Sequence, residues 1–216
     1  MKLLGALIAF AAVLLSAPVQ AQTLNYSISP ETIKTYAKVS LNTTFQLNLK
    51  ENEMGLVSNA EVDPGMGLSL AAGLEVLPEF DVELELSGYT GSVDYRTIAG
   101  APVIYAPAEE IRLLSGFVNG YFKFNSATNA RFKLGGGLGY SNYTLTDSTN
   151  IKHRGNGLAY QVKGVGEYDF GPNATFVSEL GYIATTDIDV ELSNALAVRD
   201  TAVGGITFGV GTKFRF

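Results

Sequence analysis

The sequence predicts an all-β fold, an eight-stranded antiparallel up-and-down β-barrel that crosses a membrane. Three observations carry that prediction. Eight segments alternate apolar and polar residues with a period of two, the pattern of a strand with two unlike faces. The links between them are alternately short and long, as in a barrel with tight turns on one rim and longer loops on the other. Past an N-terminal leader, no run of about 18 apolar residues occurs, so no helix is expected to span a bilayer. The 216 residues suffice for one domain or one closed barrel.

Residues 1–21 read as a cleaved secretory signal. Lys2 supplies a positive start, residues 3–15 an apolar core, and Val19-Gln20-Ala21 a small-residue cleavage site. The mature chain is expected to begin near Gln22. Residues 22–35 are polar, contain Pro30 and read as a periplasmic lead-in, leaving 36–216 for the barrel.

The first strand, 36–50, sorts Ala37, Val39, Leu41, Phe45, Leu47 and Leu49 from Lys38, Ser40, Asn42, Thr44, Gln46, Asn48 and Lys50. In 66–77, Met66, Leu68, Leu70, Ala72, Leu74 and Val76 oppose Gly67, Ser69, Gly73 and Glu75. In 80–89, Phe80, Val82, Leu84 and Leu86 oppose Glu83, Glu85 and Ser87. Segment 111–124 carries bulk on both faces. Leu114, Val118, Phe122 and Phe124 are expected outward there, with Ser115, Asn119, Tyr121 and Lys123 inward. In 130–143, Phe132, Leu134, Leu138 and Tyr140 oppose Arg131, Lys133 and three glycines. Tyr160, Val162 and Tyr168 oppose Gln161, Lys163 and Glu167 in 158–168. Phe176, Leu180 and Tyr182 oppose Thr175, Glu179 and Gly181 in 174–183. The last strand, 202–216, sets Ala202, Ile206, Phe208, Val210, Phe214 and Phe216 against Thr207, Gly209, Gly211, Lys213 and Arg215.

The links 78–79, 125–129 and 169–173 are tight and rich in turn residues. The links 51–64, 90–110, 144–156 and 184–200 are each on the order of a dozen to twenty residues and are expected to be loops. An even strand count gathers the short links on one rim and the four long ones on the other, external, rim.

Alternation alone leaves two arrangements open, since a soluble lipocalin-like barrel would turn the same pattern inside out. Two features favour lipid outside. The polar face mixes glycines with charges of both signs, which suits a narrow lumen. The apolar face concentrates aromatics near its ends: Phe80, Phe122, Phe124, Phe132, Tyr168 and Phe214 by the short turns, and Tyr89, Tyr140, Tyr143 and Tyr182 by the long loops. The lumen is then expected to hold Lys38, Glu75, Glu83, Glu85, Lys123, Arg131, Lys133, Lys163, Glu167, Glu179, Lys213 and Arg215. Eight strands enclose only enough room for side chains, which favours a salt-bridged plug over an ion path.

Composition narrows the function classes. Cysteine is absent, which rules out disulfides and thiolate metal sites. With Lys2 removed, 14 basic residues face 21 acidic ones, and no basic run suggests nucleic acid as a partner. No calcium loop, phosphate-cradling loop or metal-ligand cluster is present, and no cofactor is expected.

GFVNGYFKF at 116–124, RFKLGGGLGYSNY at 131–143, LAYQVKGVGEYDFG at 158–171 and the terminal GTKFRF together resemble the OmpA-like, opacity-type outer-membrane β-barrel family, often labelled porin family proteins. The likeness runs over roughly 36–216. It implies an integral barrel in the outer membrane of a Gram-negative bacterium, usually an envelope-structural or surface protein and sometimes credited with slow solute passage. It further implies that Phe214 and Phe216, in a closing strand that ends on an aromatic, form an insertion signal read by the barrel-assembly machinery. The sequence ends at Phe216 without the peptidoglycan-binding domain of the longer family members, so wall anchoring is not expected.

Some small barrels act on lipid A, and a Ser/His/acid set for such chemistry needs a histidine general base. The single histidine, His153, lies in Lys152-His153-Arg154 in an expected external loop. Lipid A deacylase barrels place a serine two residues after the histidine, where this chain has Gly155. Glu83 and Glu85 share a face and read as lumen ion-pair partners rather than an acid–base pair. The loops are acidic, with Glu51, Glu53, Glu61, Asp63, Asp94, Glu109, Glu110, Asp147, Asp187, Asp189, Glu191 and Asp200 against Arg96, Lys152, Arg154 and Arg199. They read as a solvated rim, with cation bridging to lipopolysaccharide phosphates or choice of a surface ligand as the functional alternatives. The expectation is a monomeric, non-enzymatic envelope-structural and surface-interaction barrel, touching outer-membrane lipid and lipopolysaccharide. The alternative is a low-conductance diffusion channel.

Overall fold

Each predicted strand finds an antiparallel partner on both sides, so strand pairing runs unbroken around the molecule. The computed structural model describes the backbone of residues 34–216 except 54–55, 99–100, 104–108, 126–128, 147–151, 187 and 192–197. Side chains are described within those bounds except at 46–53, 56–62, 93–98, 101–103, 109, 125, 153, 188–191 and 198–201. The signal expected at 1–21 and the lead-in expected at 22–35 lie outside the described residues up to residue 33, while Lys34 and Thr35 belong to the first strand; the side chains of the faces expected between Gln46 and Lys50 are outside them too.

The strands are β1 (Lys34–Glu53), β2 (Leu56–Val62), β3 (Gly65–Leu77), β4 (Phe80–Ile98), β5 (Ala101–Val103), β6 (Glu109–Asn125), β7 (Ala130–Thr146), β8 (Lys152–Asp169), β9 (Ala174–Thr185), β10 (Ile188–Glu191) and β11 (Val198–Arg215). β2 runs into β3 and β10 extends β9, while short β5 pairs β4 near the tip of the hairpin, so the strands form eight staves. β1 pairs β3 on one side and β11 on the other, which closes the barrel. Closure leaves no stave edge to recruit another chain. The last residues complete the seam: Arg215 N–H donates to Asn173 O and Phe216 N–H to Thr35 O, the latter at 3.0 Å.

The pleat sorts the two faces as expected. Leu41, Leu70, Leu84, Leu114, Phe122, Leu134, Val162, Leu180 and Phe208 are exposed on the outside. On β8 this band runs from Leu158 to Tyr168, about eleven residues, the span of a tilted strand across a bilayer. Phe122, Phe124 and Phe132 cluster at the short-turn end, with ring centroids 5.3 and 6.0 Å apart.

Two expectations are corrected. The four long links are largely strand: β4 has 19 residues, β8 has 18 and β6 has 17, well beyond what the bilayer needs. Antiparallel pairing continues past the apolar band because both partners of each hairpin keep unsatisfied backbone groups to offer. Tyr89 and Tyr143, expected in the outer aromatic belt, point into the barrel and are buried. Tyr89 shares the parity of Glu83, Glu85 and Ser87, and Tyr143 that of Ser141, so the pleat carries both inward. Tyr140 and Tyr182 do face out, and Tyr140 hydrogen-bonds Asn156.

Candidate functional site

The barrel interior gathers charged side chains of both signs, and three layers fill it. The central layer is built on β1, β4, β8 and β9. Lys38 Nζ lies 3.0 Å from Glu83 and 2.5 Å from Glu179. Lys163 Nζ lies 2.6 Å from Glu85 and 3.8 Å from Glu179. The Tyr36 hydroxyl donates to Glu83 at 3.0 Å and that of Tyr121 at 3.4 Å. Asn119 and Gln161 amides donate to Glu85 at 2.9 and 3.1 Å. Every carboxylate of this layer is buried and met by donors, which such desolvation demands.

Toward the short turns, Asp81 is fully buried between Lys123 at 2.7 Å and Lys133 at 2.5 Å. Glu167 then bridges Lys133 at 2.7 Å and Lys213 at 2.8 Å. The Tyr36 ring sits against this layer, with the Lys213 ammonium 4.7 Å from its centroid, within cation–π range. At the rim, Arg131 grips Asp169 through two nitrogens, each at 2.6 Å. Arg215 reaches Glu75 and Asp169, both at 3.1 Å.

All twelve residues expected in the lumen face inward: Glu75, Arg131 and Arg215 are half-buried at the rim, and the other nine are buried. They join into two connected networks, and two members were missing from the expected set. Asp81 carries the parity of Glu83, a signal that was available. Asp169 is the final residue of β8 and has the look of a turn residue. With these two, Glu75, Asp81, Glu83, Glu85, Glu167, Asp169 and Glu179 match Lys38, Lys123, Arg131, Lys133, Lys163, Lys213 and Arg215 one for one.

The third layer fills the end toward the long hairpins and is apolar. Tyr89, Ile111, Leu113, Phe117, Tyr143, Leu145, Ala159, Ile183 and Val203 form one buried cluster. A smaller one of Tyr121, Val165 and Val177 lies deeper. The glycines of β7 make room for this filling. Gly135, Gly137 and Gly139 stand in register with Tyr121, Asn119 and Phe117 of β6, and a Cβ at any of them would overlap those side chains. The glycine run is therefore a packing complement to the large residues of its neighbour.

The sequence holds a signal for this layer in a change of phase. Within the band, β6 is apolar at Leu114, Val118 and Phe122. Beyond it, the apolar residues are Ile111 and Leu113, on the opposite parity, with Arg112 outward. β7 does the same, passing from Leu138 and Tyr140 outward to Tyr143 and Leu145 inward. The inversion marks where the outer face leaves hydrocarbon for water.

His153 lies in β8 rather than in a loop, in register with Leu145, and its side chain is outside the described residues. Gly155 follows it inside the barrel, so no hydroxyl stands at that position. Among the described residues, no group of three or more His, Asp or Glu is arranged to hold a metal ion. Phe214 and Phe216 are exposed on the outside of the closing strand.

The described fold matches known barrels. The structure of the outer membrane protein OprG from Pseudomonas aeruginosa superposes with a TM-score of 0.60 at 15% identity, covering 85% of this chain and 95% of OprG. Neisserial surface protein A gives 0.56 at 14%, covering 84% and 97%. A major outer membrane protein from Thermus thermophilus gives 0.54 at 13%, covering 86% and 100%. At such identities the likeness is one of fold. No curated protein matches the chain. The model of the outer membrane protein beta-barrel domain matches residues 7–216, and the chain belongs to that family.

Proposed function

We propose that this chain is a non-enzymatic barrel of the bacterial outer membrane whose lumen is permanently filled. Its role is to reinforce the envelope and to hold long β-hairpins above the surface as an interaction platform. The observation that carries this reading is the interior itself. An ion would have to break a neutralised, buried ion-pair network and then cross a packed layer made mostly of apolar side chains. The same packing argues against catalysis inside, because Glu83, Glu85, Glu167 and Glu179 are buried and each already serves as an ion-pair partner. The hairpins, by contrast, continue as paired strands beyond the apolar band, which makes them rigid enough to present a surface.

The channel reading draws support from the two successive charge networks between the Arg131–Asp169 rim and Lys163 and Glu85. The apolar layer lies in series with those networks and counts against it.

Because the chain has no cysteine, topology is open to a clean test. Ser148→Cys, between β7 and β8, and Ala127→Cys, between β6 and β7, would each be exposed to a membrane-impermeant maleimide on intact cells. The proposal expects strong labelling at 148 and little at 127 until the membrane is breached. Equal labelling, or the reverse order, would overturn it.

A further inference from the structure

The lumen charges balance as a whole, but the two networks do not balance separately. The central one sets Glu83, Glu85 and Glu179 against only Lys38 and Lys163. The one toward the short turns sets five cations against the four carboxylates Glu75, Asp81, Glu167 and Asp169. The first is left with one negative charge in excess and the second with one positive. Among the described residues, no ion pair joins the two. An excess charge held out of water is costly, so each network needs the other close by.

Tyr36 lies where they meet. It shares the inward parity of Lys38 on β1 and is buried. Its hydroxyl donates to Glu83 of the central network at 3.0 Å. Its ring faces the other network, with the Lys213 ammonium 4.7 Å and the Lys133 ammonium 5.6 Å from the centroid. Gly73, in register with it on β3, leaves the ring its place, since a Cβ there would come within 2.2 Å of it. Donation to a carboxylate pushes electron density into a phenol ring, and a richer π-face holds a cation more tightly. The excess anion of one network thus strengthens the hold on the excess cation of the other. Tyr121 gives the contrast. Its hydroxyl reaches Glu83 at 3.4 Å, but among the described residues no ammonium lies over its ring. We propose that Tyr36 couples the two ion networks, so that the charged half of the lumen yields as one unit rather than layer by layer. The coupling rests on the reading of the lumen as closed. It also has a direction: Glu75, Arg131, Asp169 and Arg215 are half-buried at the rim, so a disturbance from that side enters the lower network and reaches the central carboxylates through Tyr36.

The test is a double-mutant cycle on the refolded protein in lipid vesicles, unfolded in urea. Glu83→Gln and Lys213→Gln are measured singly and together, in the parent and alongside Tyr36→Leu or Tyr36→Phe. In the parent, the unfolding constant of the double variant should depart about tenfold from the product of the single effects. Tyr36→Leu should bring that departure down to about twofold, and Tyr36→Phe, which keeps the ring and loses the hydroxyl, to about threefold. Tyr121→Phe should leave it at the parent value. Additive effects in the parent, or parental coupling in Tyr36→Leu, would overturn the proposal. Should Tyr36→Leu fail to refold, Tyr36→Phe decides, and parental coupling there would overturn it. Single-channel current separates the two readings. Ohmic steps from the parent would sink the closed lumen, whereas additive variants in a parent that passes no current would sink the coupling alone.

Discussion

Asp81 sits fully buried between Lys123 and Lys133, so its removal takes the carboxylate from the buried Lys123 ammonium and leaves Lys133 with Glu167 alone. Asp81→Ala is expected to cost about 3–5 kcal/mol, the penalty of an uncompensated buried charge, in urea unfolding of the refolded barrel. A loss below about 1 kcal/mol would mean that water reaches the lysines and the layer is not sealed. Gly137 makes a sharper steric case. A Cβ there would overlap the Asn119 amide that donates to Glu85, whereas at outward Gly88 it would meet only the end of Leu114, at 3.9 Å. Gly137→Ala should lower the yield of refolded barrel several-fold while Gly88→Ala leaves it unchanged, as read by the unboiled gel shift. Equal yields would mean that the β6–β7 fit is looser than the register implies.

At the scale of the strand, the period-two pattern made the staves and their faces legible, because lipid on one side and packed charges on the other give each pleat a strong contrast. The strand ends beyond the band were not legible as strands. There the outer face meets water, the apolar side turns inward, and residues such as Glu110 and Thr144 read as loop. Tyr89 and Tyr143 were assigned to the belt by their proximity to that boundary, although the parity of Ser87 and Ser141 carries them inside. Ion pairing was equally out of reach of the sequence: Lys38 meets Glu179 only because closure sets β9, two staves away around the barrel, opposite it. The closing strand carries its own prediction. Phe216 adds one seam hydrogen bond, to Thr35, and an exposed ring, so its deletion should change the stability of the refolded barrel little. If Phe216 serves as the proposed insertion signal, its deletion should still cut the amount assembled in cells several-fold. Full assembly of the truncated chain would remove the insertion role from Phe216.

The barrel unit, Thr32–Phe216, has a neutral, ion-paired lower half and an apolar upper half, wrapped in a lipid-facing band and prolonged by paired hairpins. Eight strands leave side chains to fill the interior, and this chain uses that constraint to close the bore twice by different physics. A Leu113→Ala variant, which thins the apolar layer, should destabilise the barrel by about 2–5 kcal/mol without opening it, since the charge layers remain. The central claim is that closure, and current through single molecules in a planar bilayer tests it most directly. With insertion established by the gel shift and by labelling at residue 148, the account predicts a flat trace at any physiological voltage. Reproducible ohmic steps would contradict it and show that the lumen charges line a path.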